Sequence, residues 1–248
     1  MARILLEAKE HPQGSSFVTL TYDDDNLPMR EGILVDDPWE MTLDYSHWQK
    51  FAKKLRHKVS FRFFMVGEYG DESQRPHYHA ILFGVPIEAA FHFVEKEWAY
   101  GFAHVGEANK HTIQYTCGYV TKKLNKNSYS LGEREPERAL TSRKPGLAAN
   151  YADRMATWYM NGPGSKYLTE HGDIAKTVRI DGKVYPLDMY MVRRMRKVLG
   201  IPNNPNERAH MLGLEVERYE RHDESVLEQA RLRENKLVRR GARGNRTL

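Results

Sequence analysis

The sequence predicts an α+β fold, a ferredoxin-like βαββαβ antiparallel sheet followed by a helical, basic carboxy-terminal extension. Short runs of β-branched and aromatic residues alternate with runs of helical periodicity in the order strand, helix, strand, strand, helix, strand. Residues typical of turns separate these runs. The chain has 248 residues, 40% of them hydrophobic, which is enough for one filled core with appendages.

The first half of the pattern is a strand followed by a helix. "SFVTLTY" predicts the strand, with Val18, Leu20 and Tyr22 on one face. "DDDNLP" breaks it, and "SHWQKFAKKLRHK" predicts a helix in which Ser46 and Gln49 have capping-box spacing. The apolar side of that helix consists of Trp48, Phe51, Ala52 and Leu55.

A hairpin, a second helix and a last strand complete the pattern. "VSFRFFMVGEY" and "HYHAILFG" predict two strands joined by the loop "GDESQRP". "PIEAAFHFVEKEWAYG" predicts a helix that Pro86 opens and Gly101 follows, with inward Phe91, Val94 and Trp98. "GFAHVGEA" predicts the fourth strand, and a further helix begins near Thr112.

The pattern weakens beyond about residue 125. We expect one domain over residues 1–165 and a helical, basic extension over residues 166–248. "PLDMYMVRRMRKVLG" predicts a short basic helix, and residues 206–240 a long, charged one. The sequence contains no GxxxxGK[ST] motif, so it encodes no ATPase phosphate loop of that kind.

Composition restricts the compartment and the partner. One cysteine, Cys117, excludes an internal disulfide framework and fits a reducing, intracellular compartment. No apolar run reaches the roughly 18 residues of a membrane span, so no membrane partner is expected. The net charge is +5, and basic residues cluster in "KKLRHK", "RRMRK" and the tail "NKLVRRGARGNRTL". Such clusters favour a polyanionic partner, namely nucleic acid.

Two histidines and a glutamate could hold a metal ion. His77 and His79 must project from the same face of their strand, and Glu68 lies near the end of the partner strand. Two imidazoles and a carboxylate suit Mn²⁺ or Mg²⁺, while zinc stays possible. In the alternative, Glu68 forms a salt bridge with Arg75 and the histidines face solvent.

The helix "HTIQYTCGYVTKKLNK" carries two candidate nucleophiles. A stripe at helical spacing supplies its buried side, namely Ile113, Cys117, Val120 and Leu124. Tyr115 and Tyr119 then lie on the other side with Lys122 and Lys126 above them, where lysines would lower the pKa of a tyrosine. This is a setting for a phenolate that attacks a phosphodiester.

Taken together, these motifs resemble the HUH endonuclease superfamily. "FVTLTYDDDNLP", "FFMVGEYGDESQRPHYHAILFG", "YTCGYVTKK" and "TSRKPG" are similar, more closely, to replication initiation proteins of gokushovirus-type microviruses, small single-stranded DNA phages. The likeness spans residues 16–146 in matching order. Members of that family often carry a cysteine-containing segment before the first strand, which this sequence lacks; a short form or a late start codon would account for it.

The resemblance implies a rolling-circle nickase that acts on the single-stranded phage origin in the cytoplasm of a host bacterium. "FVTLTYD" would be its first motif, Glu68, His77 and His79 its metal ligands for Mn²⁺ or Mg²⁺, and Tyr115 and Tyr119 its nucleophiles. A 5′-phosphotyrosine would store the bond energy for rejoining, while a host polymerase and helicase would extend and unwind the DNA.

Several basic residues would support this chemistry. Lys122 or Lys123 would stabilise the transition state. A basic surface would hold the DNA backbone without reading its sequence, and its residues are Lys50, Lys53, Lys54, Arg56, Lys58, Arg75 and Lys126.

Two other functions stay open from the sequence. One is a transposase or relaxase of the same superfamily. The other is a ferredoxin-like nucleic-acid-binding module without catalysis, which would use exposed aromatic residues to stack on bases. A binding module needs no metal and forms no covalent adduct, so these two properties separate the classes.

Overall fold

The computed structural model describes residues 1–30, 40–123, 134–209, 211 and 232–236, with the side chains of residues 120–123 excepted. The chain divides into two compact units, Arg3–Leu147 together with Met1, and Ala148–Leu248 together with Ala2. The domain boundary expected near residue 165 remains a prediction.

The predicted order of strands and helices is present. It is preceded by a short helix and followed by an additional strand, neither of which the sequence pattern indicated. In chain order, the elements are α1 (Ala2–Lys9), β1 (Ser15–Tyr22), α2 (Tyr45–Arg56), β2 (Arg62–Tyr69), β3 (Pro76–Phe83), α3 (Ile87–Glu97), β4 (Gly101–Glu107), α4 (Lys110–Lys123) and β5 (Ala139–Thr141). The α+β fold class is therefore confirmed.

The strands form one antiparallel sheet in the order β4-β1-β3-β2-β5. β2 and β3 form the predicted hairpin, in which Glu68 pairs with His77 and Val66 with His79. On its other side β3 pairs with β1, so that Thr19 lies opposite His79. Directly paired residues project from the same face of a sheet, which places these polar side chains together.

The two faces of the sheet have different contents. On one face, alternate residues of β1 and β3 pack with α2 and α3 in the main apolar core, which includes Val18, Leu20, Tyr78, Trp48 and Val94. The residues between them on β1 and β3 point to the opposite face, where α4 lies across β2 and β3. The polar side chains of β2 and β3 thus lie beneath α4.

Two local predictions were wrong. Helix α2 begins one residue before Ser46, and its N-cap is Asp44, whose side chain accepts a hydrogen bond from the Ser46 backbone N–H. Phe91 points outward and is 60% exposed, because Ala90 and Val94 form the buried stripe of α3. A residue next to that stripe is rotated by about 100° around the helix.

The second unit contains three helices and a hairpin among its described residues. These are α5 (Ala149–Met160), α6 (Gly162–His171), β6 (Thr177–Ile180), β7 (Lys183–Pro186) and α7 (Met189–Leu199). The predicted basic helix is confirmed as α7, which begins after its N-cap Asp188. The long helix predicted over residues 206–240 falls mostly outside the described residues.

No helix within the described ranges combines the length and the apolar character needed to cross a membrane.

Candidate active site

Glu68, His77 and His79 come together on the face of the sheet beneath α4. The Glu68 Oε1 atom lies 2.7 Å from His77 Nε2 and 3.2 Å from His79 Nε2. One ligand atom from each residue lies within 4.8 Å of the other two. The arrangement follows from the antiparallel register, since Glu68 is opposite His77 and His79 is two residues further along the same face.

The orientation of His77 is set by the backbone at the start of β3. Its Nδ1 atom lies 3.1 Å from the Arg75 carbonyl oxygen. Because a carbonyl only accepts hydrogen bonds, Nδ1 must carry the proton, and Nε2 presents its lone pair to Glu68. A lone pair facing a carboxylate needs a proton or a cation between the two atoms. This geometry therefore suits a shared cation.

His79 is held in a similar way by β1. The Thr19 hydroxyl lies 2.9 Å from His79 Nδ1, which leaves Nε2 pointing towards Glu68. Burial lowers the pKa of His79, so the imidazole is neutral at pH 7. A neutral ring is the form that binds a metal, and a hydrogen bond to its second nitrogen is the usual way of fixing such a ligand.

Glu68 is ionised although it is buried. Burial alone would raise its pKa, but hydrogen bonds from His77 and His79 outweigh this effect and lower it. Glu68 Oε2 and His79 Nε2 are buried, and neither has a well-oriented hydrogen-bond partner among the described residues. Two nitrogen donors, one carboxylate and these unsatisfied atoms fit a divalent metal ion.

The alternative assignment of the glutamate is wrong. Arg75 pairs with Asp24 at 2.8 Å and donates a second hydrogen bond to the Tyr22 carbonyl oxygen. Glu68 faces the two histidines instead, and the side chains of His77 and His79 are only 16% and 6% exposed.

Both candidate tyrosines contact His79. The Tyr119 ring stacks on the His79 imidazole with a centroid distance of 5.2 Å and an interplanar angle of 12°. Tyr115 meets the same imidazole edge-on, also at 5.2 Å. The two phenol rings are 4.8 Å apart. One turn of α4 thus brings both hydroxyl-bearing rings over one histidine of the candidate metal group.

The surroundings of the tyrosines differ from the expectation. Tyr115 is 50% exposed, but Tyr119 is partly buried against His79. Burial raises the pKa of Tyr119, and a hydrogen bond with Tyr115 and the charge of Glu68 raise it further. The expected lowering by lysines depends on Lys122 and Lys126. The Lys122 and Lys123 side chains lie outside the described residues, as does the whole of Lys126.

The buried stripe of α4 is partly as predicted. Ile113 is buried and Cys117 partly buried, while Val120 and Leu124 fall outside the side chains described. The sequence pattern missed Thr116, which is fully buried and donates a hydrogen bond to the Thr112 carbonyl oxygen. That internal bond lets a hydroxyl take a core position.

The predicted basic surface lies on the other side of the sheet. Helix α2 packs on the core face, so its exposed cations are separated from the candidate metal group; they are Lys50, Lys53, Lys54, Arg56 and, just beyond the helix, Lys58. The Arg56 guanidinium lies 5.0 Å from the centre of the Phe61 ring. A role of these residues in DNA binding stays a prediction.

Sequence reasoning missed the contribution of β1 to the site. Besides the Thr19 hydroxyl, the Phe17 ring stacks on His79 at 5.7 Å. The available signal was the alternation within "FVTLTY", in which Phe17, Thr19 and Thr21 occupy the face opposite to the core residues. Only the pairing of β1 with β3 shows which histidine they meet.

Known proteins similar to this chain are phage replication proteins. The "Replication-associated protein ORF2" of Spiroplasma virus 4 is 29% identical over 160 residues, which are 58% of this chain and 50% of that protein. The "Replication-associated protein ORF4" of Chlamydia phage 1 is 30% identical and covers 48% of this chain and 33% of that protein. The "Replication-associated protein VP4" of Bdellovibrio phage phiMH2K is 26% identical, with 44% and 38% covered.

This chain therefore spans half or less of the length of these relatives. No solved structure matches it at a significant level. Residues 15–124 match the family of replication-associated proteins of the ORF2 type. The resemblance to replication proteins of gokushovirus-type microviruses is confirmed. Over residues 15–124, which contain β1 to β4, the Glu-His-His group and both tyrosines, the chain belongs to this ORF2-type family of replication-associated proteins.

Proposed function

We propose that this protein is a replication initiator that nicks single-stranded origin DNA through a tyrosine and later rejoins the ends. The observation that carries the proposal is the contact of Tyr115 and Tyr119 with His79, a member of the Glu68–His77–His79 group. A nucleophile beside a metal site is the arrangement that a strand transferase requires. The similarity to phage replication proteins supports the same function.

Glu68, His77 and His79 would hold the ion, Mn²⁺ or Mg²⁺. When bound, a divalent ion supplies charge neutralisation for the oxygens of the scissile phosphate. Thr19 and the Arg75 carbonyl fix the two imidazoles through their Nδ1 atoms, so that both Nε2 atoms converge with Glu68. These residues prepare the site before substrate arrives, since none of them needs to reorient.

A tyrosine hydroxyl would carry out the transfer. Its oxygen forms a bond to phosphorus, and the bond between phosphorus and the 3′ oxygen breaks. The phenolic proton is lost to water, and the departing oxygen takes up a proton to become a 3′ hydroxyl. The 5′ phosphate remains joined to the tyrosine. In rejoining, a 3′ hydroxyl attacks the phosphotyrosine and the phenol is released, so no ATP is needed. Lys122 or Lys123 would stabilise the transition state.

The two tyrosines would alternate as nucleophiles. A second cut at the regenerated origin must occur while the first 5′ end is still bound to the protein. Tyr115 is half exposed and so accessible to the first phosphate, whereas Tyr119 lies deeper against His79. Because the rings are 4.8 Å apart, both can work beside one metal group. A host polymerase would extend the 3′ end, and a host helicase would open the duplex.

Detection of a covalent intermediate tests the proposal. Single-stranded oligonucleotides that tile the encoding genome are incubated with the protein and Mn²⁺, and adducts that resist SDS are counted. We expect an adduct at one site, none in EDTA, and none with the Tyr115→Phe/Tyr119→Phe double variant. Tyr185→Phe, in the second unit, is the matched control and should form the wild-type amount.

The single variants test alternation separately. Tyr115→Phe and Tyr119→Phe should each leave some adduct but release few closed circles. If one of them closes circles as well as the wild type, that tyrosine is structural. If no oligonucleotide yields an adduct with wild-type protein while binding is retained, the chain is a binding module and the proposal is wrong.

A further inference from the structure

Phe102 is an apolar side chain with no obvious structural role. It is 69% exposed, more than any other large apolar side chain among the described residues. It lies on β4, which is the edge strand of the sheet. An exposed aromatic ring costs solubility without contributing to the core, so its position needs an explanation.

The register places Phe102 in the same row as the candidate metal group. Phe102 pairs with Thr21, Thr21 pairs with His77, and His77 pairs with Glu68. Residues paired in this way project from one face of the sheet. Since neighbouring strands are about 4.8 Å apart, Phe102 and His77 are separated by two spacings, or about 10 Å.

The surface between Phe102 and the metal group is low. Thr21 is the intervening residue, and its short side chain donates a hydrogen bond to the Phe102 carbonyl oxygen at 3.3 Å. His104, two residues further along β4, is exposed on the same face beside Thr19. Two exposed rings thus stand on the edge strand, with a shallow path from them to His77.

We propose that Phe102 is a stacking platform for a base of the single strand whose phosphate lies at the Glu68–His77–His79 group. The proposal rests on the proposed function. Successive nucleotides advance by about 3.4 Å or more along a strand, so 10 Å corresponds to at most about three nucleotides from the scissile phosphate. Phe102 positions the strand and takes no part in bond making.

The chemistry of the ring favours an unpaired base. In a duplex each base already stacks on its neighbours, so a lone ring on a sheet edge can stack only on a base of a single strand. Stacking is tolerant of sequence, because every base has a π face. Phe102 would therefore favour single strands over duplex without reading the origin sequence.

A direct test compares two phenylalanines that differ in their face of the sheet. Phe102→Ala is measured against Phe91→Ala, because Phe91 is 60% exposed on α3, which packs on the opposite face. The probes are fluorescent oligothymidine of about 16 nucleotides and an abasic strand of the same length, titrated in EDTA and read by anisotropy. Phe102→Trp tests rescue by another aromatic ring.

We expect Phe102→Ala to weaken oligothymidine binding by about 5- to 150-fold and to leave binding of the abasic strand unchanged. Phe91→Ala should bind like the wild type, and Phe102→Trp should restore affinity. Equal affinity of Phe102→Ala and wild type for oligothymidine would overturn the inference, and so would an equal loss on the abasic strand. Altered self-association with unchanged DNA binding would instead make this edge a protein contact.

The covalent-adduct assay keeps this inference distinct from the proposed function. Wild-type protein that forms the adduct while Phe102→Ala binds normally would refute only the stacking role. Wild-type protein that forms no adduct refutes the nicking activity, whatever Phe102 does.

Discussion

The two faces of β3 solve opposite problems with adjacent residues. Tyr78 lies between the two histidines and points into the core, where it is fully buried. Its hydroxyl donates to the Asp44 carbonyl oxygen at 2.7 Å, accepts from the Asp44 N–H, and lies 2.9 Å from the Tyr22 hydroxyl. On the other face, His79 Nε2 and Glu68 Oε2 are buried and unsatisfied among the described residues.

This difference separates stability from chemistry within one strand. A buried polar group that is fully hydrogen-bonded holds the fold, whereas one that is left unsatisfied costs stability and is retained where a ligand completes it. Substitutions on the Tyr78 face should therefore change the free energy of unfolding. Substitutions on the histidine face should change metal affinity and cleavage.

The largest effect is expected from removing a metal ligand. His77→Ala or His79→Ala should reduce cleavage by more than about 100-fold, because the remaining two ligands hold the ion weakly. Binding of single-stranded DNA should change little. Adduct yield and anisotropy measure the two properties, and EDTA should reproduce the effect with wild-type protein. Cleavage that continues undiminished in EDTA would show that no metal is used.

A smaller loss is expected when a residue that orients a ligand is changed. Thr19→Val removes the hydroxyl bonded to His79 Nδ1 and should weaken metal binding by about 10- to 100-fold. Calorimetric titration with Mn²⁺ measures this. The control is Thr21→Val, which changes the other threonine of the same face of β1 without touching an imidazole nitrogen. Equal affinities of the Thr19 and Thr21 variants would contradict the role of Thr19.

On the core face, the effect should appear in stability alone. Tyr78→Phe leaves the Asp44 backbone groups and the Tyr22 hydroxyl without their shared partner, which should lower the free energy of unfolding by about 1–3 kcal/mol. Denaturant titration measures the loss. Mn²⁺ affinity should stay at the wild-type value, and a parallel loss of affinity would show that the two faces are coupled.

The smallest effect is a dependence of stability on pH that comes from the histidine face. Since burial lowers the pKa of His79 below its unfolded value, the unfolded chain binds the proton more readily as the pH falls. Stability should therefore decrease as the pH falls below about 6.5, which is the ordinary value for histidine. Denaturant titrations in EDTA at several pH values should show a steeper decrease for wild type than for His79→Gln. Identical slopes would place the titration elsewhere.

Much of the first unit could be predicted from the sequence because its signals are local. Alternation along β1 and β3 assigns each residue to a face, and the helical periodicity of α2 gives its buried side. The same alternation places His77 and His79 together. Phe91 was misplaced because Ala90 is also apolar, and only packing decides which of two neighbouring apolar residues is buried.

The rest of the site depends on contacts between residues distant in sequence. Thr19 meets His79 across 60 residues, and Tyr119 meets it across 40. No local pattern specifies which ring stacks on which. The β5 strand was missed for a similar reason, because three residues are too few to show a period, and its pairing with β2 is what defines it.

The antiparallel register of β2, β1 and β3 determines which changes of length the gene can tolerate. A shift of β3 by one residue would exchange its faces, so that Tyr78 would replace a histidine opposite Thr19 or Glu68. Insertions within β3 would thus damage the core and the site in one event. Insertions in the loop between Tyr69 and Pro76 need not alter the register. We expect length variation among homologous genes to collect in that loop, with none between Pro76 and Phe83.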